Sequence, residues 1–278
     1  MIETLSEHAC FGGVQGFYRH TSSSIGLPMR FGLYRPPQPG PRPLLVYLAG
    51  LTCTEETFAI KAGAQQFAAE HGLMLLSPDT SPRDTGVEGA DAAWDFGTGA
   101  GFYLDATQAP WSPHWHMESY LCAELAPLVL QHFMGRVDRV GIFGHSMGGH
   151  GALTLALRHP ALFKSVSALA PIAAPTQCPW GQKALAGYLG NDRVEWARHD
   201  ATELIKAGAR CPAILIDVGL ADKFLPDQLH PHLFESACQD GGQALTLRRH
   251  EGYDHSYYFI SSFMRDHIAH HAQVLNAP

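Results

Sequence analysis

Short apolar runs bounded by Gly, Pro or Asp alternate along the chain with longer segments of helical periodicity. Runs of this kind are typical of strands that are buried on both faces of a parallel sheet. The predicted strands are residues 44–48, 73–76, 137–143, 165–169, 213–218 and 246–250. The predicted helices are residues 62–71, 117–133, 147–158 and 234–240. This alternation predicts an α/β fold, in which helices cover both faces of a mostly parallel sheet.

The N-terminal part has a different pattern, in which apolar and polar positions alternate. Residues 13–20 and 29–35 show this pattern on either side of a Ser-rich turn, which predicts two antiparallel strands at the edge of the sheet. The Pro-rich stretch at 36–43 is short enough to be a loop between strands. Because the sequence contains no internal repeat and no linker, we expect residues 1–278 to form a single domain.

Composition and charge exclude several classes of function. The formal net charge is -7 and Lys and Arg form no cluster, so we expect no nucleic-acid partner. The longest nearly unbroken apolar stretch is residues 44–51, far shorter than the ~20 residues of a membrane-spanning helix, so we expect no membrane association. The N-terminus is acidic and polar, whereas a secretory signal has a basic start and an apolar centre, and we therefore expect a cytoplasmic protein.

The cysteines and histidines do not predict a metal site. Six cysteines are present without a C-x-x-C pair, which favours free thiols in a reducing compartment over a disulfide framework. The pairs His114/His116 and His230/His232 have the spacing H-x-H. Two ligands without a matching partner motif are too few for a zinc site, so we expect these histidines to lie in polar loops.

A candidate nucleophile follows the predicted strand 137–143. Residues 144–148 read GHSMG, a G-x-S-x-G motif, and the predicted helix 147–158 comes directly after the serine. In this context the motif predicts a nucleophile elbow of the α/β-hydrolase fold, where a sharp turn presents the serine hydroxyl to the substrate. Glycine is needed on both sides because a Cβ there would clash with neighbouring backbone. We therefore predict that Ser146 is the nucleophile of a serine hydrolase.

The acid that orients the base is expected C-terminal to Ser146, because the order in this fold is nucleophile, acid, histidine. Asp222 follows the predicted strand 213–218 and so lies at the sheet edge where α/β folds assemble their sites. The alternatives are Asp217, which is expected inside the strand, and Asp227, which follows a proline. Position favours Asp222.

The general base is expected on the loop after the last predicted strand. His255 lies there and opens a C-terminal helix, which would bring its imidazole over the elbow. His250 at a strand end and His267 inside a helix are the alternatives. Asp254 is an immediate neighbour of His255 and is not expected to orient the ring.

An oxyanion hole requires two backbone N–H donors. One is expected from Met147, the residue after the nucleophile, and the other from the loop after an early strand. The sequence AGLTCT follows the predicted strand 44–48, and its glycine allows the backbone amides to turn inward. Leu51 is the predicted second donor.

Five strings across most of the chain together resemble the S-formylglutathione hydrolase family, also called the esterase D family. They are LAGLTCTEETFAIKAGAQ (48–65), GAGFYLDAT (99–107), GHSMGGHGAL (144–153), CPWGQKALAGYLG (178–190) and DHSYYFI (254–260). CPWGQKA and GAGFY are far more specific than the elbow motif. One departure is Ala49, where relatives commonly carry serine or histidine. Because the expected donor is a backbone amide, we expect Ala49 to alter packing or pocket polarity without abolishing the chemistry.

The resemblance implies hydrolysis of the thioester S-formylglutathione to formate and glutathione, the closing step of glutathione-dependent formaldehyde detoxification, with side activity on short acyl esters. The family's nucleophile, acid and base fall on Ser146, Asp222 and His255, in agreement with the choices made from position. No cofactor is implied. Dimers among relatives leave a homodimer open for this chain.

Several side chains near these motifs are candidates for the substrate pocket. In the family's pattern Cys53 would lie at the pocket edge, although most free cysteines are inert and buried. Lys61 is a candidate partner for a carboxylate of glutathione. The aromatic residues Trp180, Phe102 and Tyr103 would either close a shallow acyl pocket or pack in the core.

Two other functions compete with this hypothesis. The first is a general short-chain carboxylesterase or acyltransferase on the same scaffold, for which glutathione is not the leaving group. The second is a binding protein that has kept the fold without catalysis, which fold alone does not exclude.

Overall fold

A nine-stranded sheet forms the centre of the protein in the computed structural model, which describes residues 1–277. The strands are β1 (Glu3–Cys10), β2 (Gly13–Thr21), β3 (Pro28–Arg35), β4 (Arg42–Leu48), β5 (Met74–Pro78), β6 (Gly135–His145), β7 (Phe163–Leu169), β8 (Ile214–Gly219) and β9 (Leu245–His250). Their order in the sheet is β1-β2-β3-β5-β4-β6-β7-β8-β9. The pairs from β1 to β5 are antiparallel, and all pairs from β5 to β9 are parallel. The predicted mostly parallel sheet with antiparallel N-terminal strands is confirmed.

Ten α-helices cover the two faces of this sheet. They are α1 (Glu55–Lys61), α2 (Ala64–His71), α3 (Met117–Ser119), α4 (Ala126–His132), α5 (Met147–Arg158), α6 (Pro179–Leu189), α7 (Arg193–Ala197), α8 (Ala201–Lys206), α9 (Pro231–Gly241) and α10 (Tyr257–Leu275) in the part of the chain that is described. Helix α10 packs against β6 and β7 and also contacts α2, and α5 packs against the same two strands and also contacts α8. None of the helices within residues 1–277 combines the length and the apolar character needed to cross a bilayer.

Two predicted helices differ from the observed ones. The predicted helix 62–71 begins too early, because Gly63 has φ 65° and separates α1 from α2. The predicted helix 117–133 is divided into α3 and α4 by a π-helical turn at Tyr120–Leu125. Strand β1 was not predicted, since it is an edge strand whose residues are almost all exposed and therefore lack an apolar period.

The parallel strands bring the predicted site residues to one edge of the sheet. The carboxyl ends of β4, β6 and β8 point the same way, and the loops that follow them carry the predicted oxyanion donor, nucleophile and acid. An aromatic cluster fixes α1 on these strands, because the ring centroids of Tyr47 and Phe58 are 3.7 Å apart and Phe143 lies 4.9 Å from Tyr47. The loop between β4 and α1 is thereby held at its two ends.

Candidate active site

Ser146 lies on a sharp turn between β6 and α5. Its backbone has φ 58° and ψ -119°, a conformation that costs a residue other than glycine roughly 1–3 kcal/mol. Three hydrogen bonds hold the turn: the Ser146 amide donates to the carbonyl of Leu169 at 3.0 Å, and its carbonyl accepts from the amides of His150 at 2.9 Å and Ile172 at 3.2 Å. The surrounding structure therefore stabilises a strained turn, as expected for a nucleophile elbow.

The glycines around Ser146 are required by close backbone contacts. A Cβ on Gly144 would lie 2.2 Å from the carbonyl oxygen of Gly148, and a Cβ on Gly148 would lie 1.9 Å from the carbonyl oxygen of Leu48. A Cβ on Gly50 would lie 3.2 Å from the Cβ of Ser146. Because backbone atoms cannot yield as a flexible side chain can, the steric reason predicted for the two flanking glycines is confirmed.

Asp222 and His255 form a hydrogen-bonded pair at the end of β8. The Nδ1 of His255 lies 2.5 Å from Oδ2 of Asp222, and Oδ1 of Asp222 accepts from the amide of Phe224 at 2.8 Å. Asp222 is 3% exposed. A Cβ on Gly219 would lie 2.2 Å from the carbonyl oxygen of Tyr253, so the acid and base loops pack directly on each other. Both carboxylate oxygens are thus engaged, which orients the imidazole.

The backbone around His255 is fixed by the start of α10. The side chain of Ser256 accepts a hydrogen bond from the amide of Tyr258 and so caps the helix. Asp254 accepts hydrogen bonds from the amide of Ser256 at 2.9 Å and from its hydroxyl at 2.6 Å. The carboxylate of Asp254 therefore stabilises the turn, and its hydrogen bonds do not include His255.

His145 joins the elbow to the imidazole of His255. It directly precedes Ser146, and its ring centroid lies 4.4 Å from that of His255. Within residues 1–277 the side chain of His255 is hydrogen-bonded to Asp222 and not to Ser146; in free enzymes such bonds are often long and shorten when substrate binds. Burial, and to a smaller extent the neighbouring His255, hold the pKa of His145 well below its usual value. His145 is therefore a neutral packing surface for His255, a contact that the sequence analysis missed.

The alternative acid Asp217 and the alternative bases His250 and His267 lie together in a separate cluster. Asp217 is inside β8, where it accepts hydrogen bonds from Arg248 at 2.6 Å and 2.5 Å and from His267 at 3.2 Å. The Nε2 of His250 lies 3.3 Å from the same carboxylate. Asp227 is exposed in a π-helical turn. Among the hydrogen bonds and ion pairs of the described chain, none joins His255 to any of the alternatives, which are Asp217, Asp227, His250 and His267. The geometry therefore favours the pair of Asp222 and His255.

The two predicted oxyanion donors are backbone amides on loops that meet at the elbow. Met147 is the first residue of α5, a position where the amide has no intrahelical partner. The Leu51 amide lies in the loop after β4, and neither amide donates to a carbonyl within residues 1–277. The loop is anchored at Thr52, which has φ 68° and donates from its amide to the carbonyl of Gly99 at 2.9 Å. Both amides are therefore without a carbonyl acceptor of their own within residues 1–277.

Comparison with known proteins adds the family to this geometry. A family model described as Putative esterase matches residues 22–270. The S-formylglutathione hydrolase of Mus musculus is 50% identical over 281 residues, covering 99% of each chain, and that of Paracoccus denitrificans is 50% identical over 275 residues, covering 98% of each. The chain belongs to the S-formylglutathione hydrolase family. The resemblance inferred from the sequence strings is thus confirmed, and the chain is a serine hydrolase.

A solved structure supports the same family at the level of the fold. An S-formylglutathione hydrolase from Agrobacterium tumefaciens superposes with a TM-score of 0.96 at 49% identity, covering 98% of this chain and 99% of that one. Agreement over nearly the whole length of both chains means that these two proteins share the same fold. The α/β-hydrolase fold predicted from the sequence is confirmed.

In this member of the S-formylglutathione hydrolase family, Trp180 belongs to an aromatic wall that reaches His255. The ring of Trp180 lies 4.7 Å from that of Phe224, and Phe224 lies 5.0 Å from His255. On the other side Trp180 meets Trp94 at 5.5 Å, and Trp94 is 57% exposed. The wall therefore runs from the surface to the base. Phe224 and Trp94 were not selected from the sequence, although Phe224 comes two residues after the predicted acid.

Cys53 and Lys61 lie beside Tyr257, whose ring is 6.3 Å from that of His145. The Nζ of Lys61 is 5.8 Å from the centroid of the Tyr257 ring, and Lys61 is exposed. Burial raises the pKa of the Cys53 thiol, although Tyr257 and Lys61 lower it in part. A protonated thiol is a poor nucleophile. The raised pKa therefore favours the protonated form of the Cys53 thiol, and the exposed Lys61 ammonium is accessible to an anion.

Phe102 and Tyr103 support the site from the core. Both are at most 1% exposed, and the hydroxyl of Tyr103 donates to the carbonyl of Ala49 at 2.9 Å. The ring of Tyr103 fills the space beside Gly151, where a Cβ would lie 2.6 Å from it. Of the two roles considered, these residues have the packing role. Ala49 is buried beneath the oxyanion loop, which agrees with an effect on packing.

Within residues 1–277 no group of three or more His, Cys, Asp and Glu could hold a metal ion.

Proposed function

We propose that the protein hydrolyses S-formylglutathione to formate and glutathione through a formyl-enzyme on Ser146. The observation that carries the proposal is the hydrogen bond between Asp222 and His255, which lies beside a strained serine elbow in a chain of this family. The proposal assigns the nucleophile to Ser146, the base to His255 and the orienting acid to Asp222.

The first half-reaction transfers the formyl group to the enzyme. Because Nδ1 of His255 donates to Asp222, Nε2 is the acceptor and takes the proton of Ser146. The serine oxygen then attacks the thioester carbonyl. As the C–S bond breaks, its electron pair leaves with the sulfur of glutathione, which takes the proton from Nε2 of His255. The carboxylate stabilises the imidazolium that forms in this step.

The oxyanion of each tetrahedral intermediate is held by the amides of Leu51 and Met147. Met147 begins a helix of 12 residues, whose N-terminus favours negative charge. Removing one such donor typically costs 10²–10³-fold in rate. Within residues 1–277 neither amide donates to a backbone carbonyl. No such hydrogen bond therefore has to break when the oxyanion forms.

The second half-reaction releases formate. His255, now neutral again, takes a proton from water, and the hydroxide formed attacks the formyl ester of Ser146. The C–O bond to Ser146 breaks as the proton on His255 returns to the serine oxygen, and the formic acid released loses its proton to solvent as formate. The buried, neutral His145 under the imidazole cannot compete for this proton at neutral pH, because burial keeps its pKa low.

Substrate preference follows from the surroundings of this site. The wall of Trp180 and Phe224 next to His255 limits the acyl group to a short one. The exposed Lys61 offers an ammonium to a carboxylate of glutathione, and Cys53 is the proposed pocket edge beside Tyr257. The net charge of -7 gives an anionic substrate no long-range attraction, so Lys61 must act locally.

We further propose that residues 1–278 act as one domain in the cytoplasm, where the enzyme closes glutathione-dependent formaldehyde detoxification. A homodimer is the proposed assembly, and sedimentation velocity that gave a monomer at micromolar concentration would contradict it. No nucleic acid and no membrane takes part in this proposal.

The test is a thioester and ester panel with wild type and Ser146→Ala side by side. We expect kcat/KM to be highest for S-formylglutathione, lower for p-nitrophenyl acetate and lowest for longer acyl esters, with all activity lost in a folded Ser146→Ala protein. Equal or better efficiency on the esters would favour the alternative of a general short-chain carboxylesterase. Undiminished activity of Ser146→Ala would refute the mechanism.

A further inference from the structure

A row of buried polar side chains crosses the interface between α10 and the strands β7 and β8. The hydroxyl of Ser165 lies 2.6 Å from Nδ1 of His271, and Nε2 of His271 lies 2.8 Å from the hydroxyl of Ser167. The same hydroxyl of Ser167 lies 2.7 Å from Nδ1 of His267, whose Nε2 lies 3.2 Å from Asp217. All five side chains are completely buried. This unbroken row is called the His-Ser chain below.

Hydrogen-bond chemistry gives the His-Ser chain one direction. Asp217 is an acceptor at both oxygens, where it receives two hydrogen bonds from Arg248, which also donates to Asp266. A carboxylate oxygen only accepts, so Nε2 of His267 carries the proton of its contact with Asp217. In the tautomer with its one proton on Nε2, Nδ1 is an acceptor and takes the proton of Ser167. The first two links therefore run from Ser167 to His267 to Asp217.

The remaining links follow from the first two. Since the single proton of Ser167 is used, its oxygen accepts from Nε2 of His271, whose Nδ1 then accepts from Ser165. Burial keeps the pKa of His271 well below its usual value, so this ring also carries one proton. Glycine at position 141 makes room for the row, because a Cβ there would lie 2.4 Å from the Ser165 oxygen. Each donor has one acceptor and none is left over.

The His-Ser chain connects three elements, each of which adjoins one of the catalytic residues. Helix α10 starts two residues after His255, β8 leads to Asp222, and the end of β7 accepts the amide of Ser146 through Leu169. The chain bonds α10 to β7 at two serines and to β8 at Asp217. A shift of α10 along the sheet would therefore break several buried hydrogen bonds at once, each costly to leave unmade.

We propose that Ser165, Ser167, His267 and His271 are positioning residues, whose one-directional hydrogen bonds onto Asp217 set the place of His255 relative to Ser146 and Asp222. This inference rests on the proposed catalytic roles of those three residues. The four side chains touch no substrate and act only through the position of α10. Because an error of about 1 Å in such a group can cost up to 10²-fold in rate, breaking the chain should slow catalysis without removing any reacting group.

The kinetic test is Ser167→Ala, with Ser77→Ala as the matched control. Ser77 is also a buried strand serine, but its hydroxyl donates to the carbonyl of Glu55 and lies outside the chain. We expect kcat per titrated active site to fall about ten-fold or more in Ser167→Ala, with KM within two-fold, because His255 serves both half-reactions. The acid limb of the pH profile should move to lower pH as the bond to Asp222 weakens. The control should lose stability but keep kcat and the pH profile.

A kcat and a pH profile of Ser167→Ala equal to those of wild type would overturn the proposal, whatever the loss of melting temperature. If Ser167→Ala does not fold, Ser165→Ala removes only the terminal donor and should give a smaller effect in the same direction. Wild type that hydrolyses no ester or thioester would instead refute the proposed function, so the two failures are distinguishable.

The direction of the chain is tested on the wild-type protein without any assay of activity. Imidazole ¹⁵N shifts near pH 7.5 should show His267 and His271 as the tautomers that carry a proton on Nε2 and none on Nδ1. An Nδ1–H form of His271, or a doubly protonated His267, would reverse the chain and contradict the proposal.

Discussion

The substitution Asp222→Asn tests the orientation of the base with almost no change in shape. The fixed amide of Phe224 donates to Oδ1 at 2.8 Å, so the oxygen of an asparagine must stay on that side and its NH₂ must face His255. The imidazole then accepts at Nδ1 and carries its proton on Nε2, where it cannot take the proton of Ser146. A wrong tautomer of this kind lowers kcat about 10⁴-fold in a serine protease triad, equivalent to about 5 kcal/mol, and we expect a loss of that size here.

The assay is steady-state hydrolysis of S-formylglutathione and p-nitrophenyl acetate near pH 7.5, with the melting temperature measured on the same preparations. Asp227→Asn is the matched control. Asp227 lies five positions after Asp222, is exposed, and forms a hydrogen bond with neither His255 nor Asp222. The control should keep wild-type kcat. A folded Asp222→Asn enzyme with kcat within ten-fold of wild type would refute the assignment of the acid and the tautomer argument together.

Three further predictions concern the elbow, the pocket and the pH dependence of stability. Gly148→Ala should abolish activity or soluble yield, because its Cβ would lie 1.9 Å from the Leu48 carbonyl oxygen; an active, soluble variant would contradict this. Lys61→Met should raise the KM for S-formylglutathione up to about five-fold, as for the loss of an exposed ion pair, and leave the KM for p-nitrophenyl acetate unchanged. Equal changes in the two KM values would exclude a contact between Lys61 and a substrate carboxylate. Burial lowers the pKa of His150 from 6.5 to about 3, so the unfolded state alone binds that proton as pH falls below 6.5, and stability drops by up to about 1.4 kcal/mol per pH unit. The urea midpoint of His150→Gln should therefore fall less steeply than that of wild type between pH 6.5 and 4, and parallel curves would show that His150 is not involved.

The sequence predicted those parts of the site that depend on order along the chain. Ser146 could be placed because strand, glycines and helix are contiguous in sequence. Asp222 and His255 could be placed because each follows a strand that can be predicted from its own apolar pattern. The buried strand ends then bring the three loops to one edge without further information.

The parts that were not predicted depend on contacts between distant segments. His145 at the end of β6 packs on His255 in the loop before α10. The sequence around neither residue indicates this contact. The pairing of His267 and His271 with strand serines likewise has no local pattern, because a histidine inside an amphipathic helix looks the same whether it is solvated or buried. Strand β1 was not predicted because an exposed edge strand lacks the apolar face that the prediction of strands depends on.

The central claim is that His255 activates Ser146 as the nucleophile, and labelling with a fluorophosphonate measures it most directly. Peptide mass spectrometry of the labelled wild type should place the adduct on Ser146, and His255→Ala should slow labelling by orders of magnitude while the exposed-site control His232→Ala labels at the wild-type rate. An adduct on any other residue, or unchanged labelling of His255→Ala, would contradict the account.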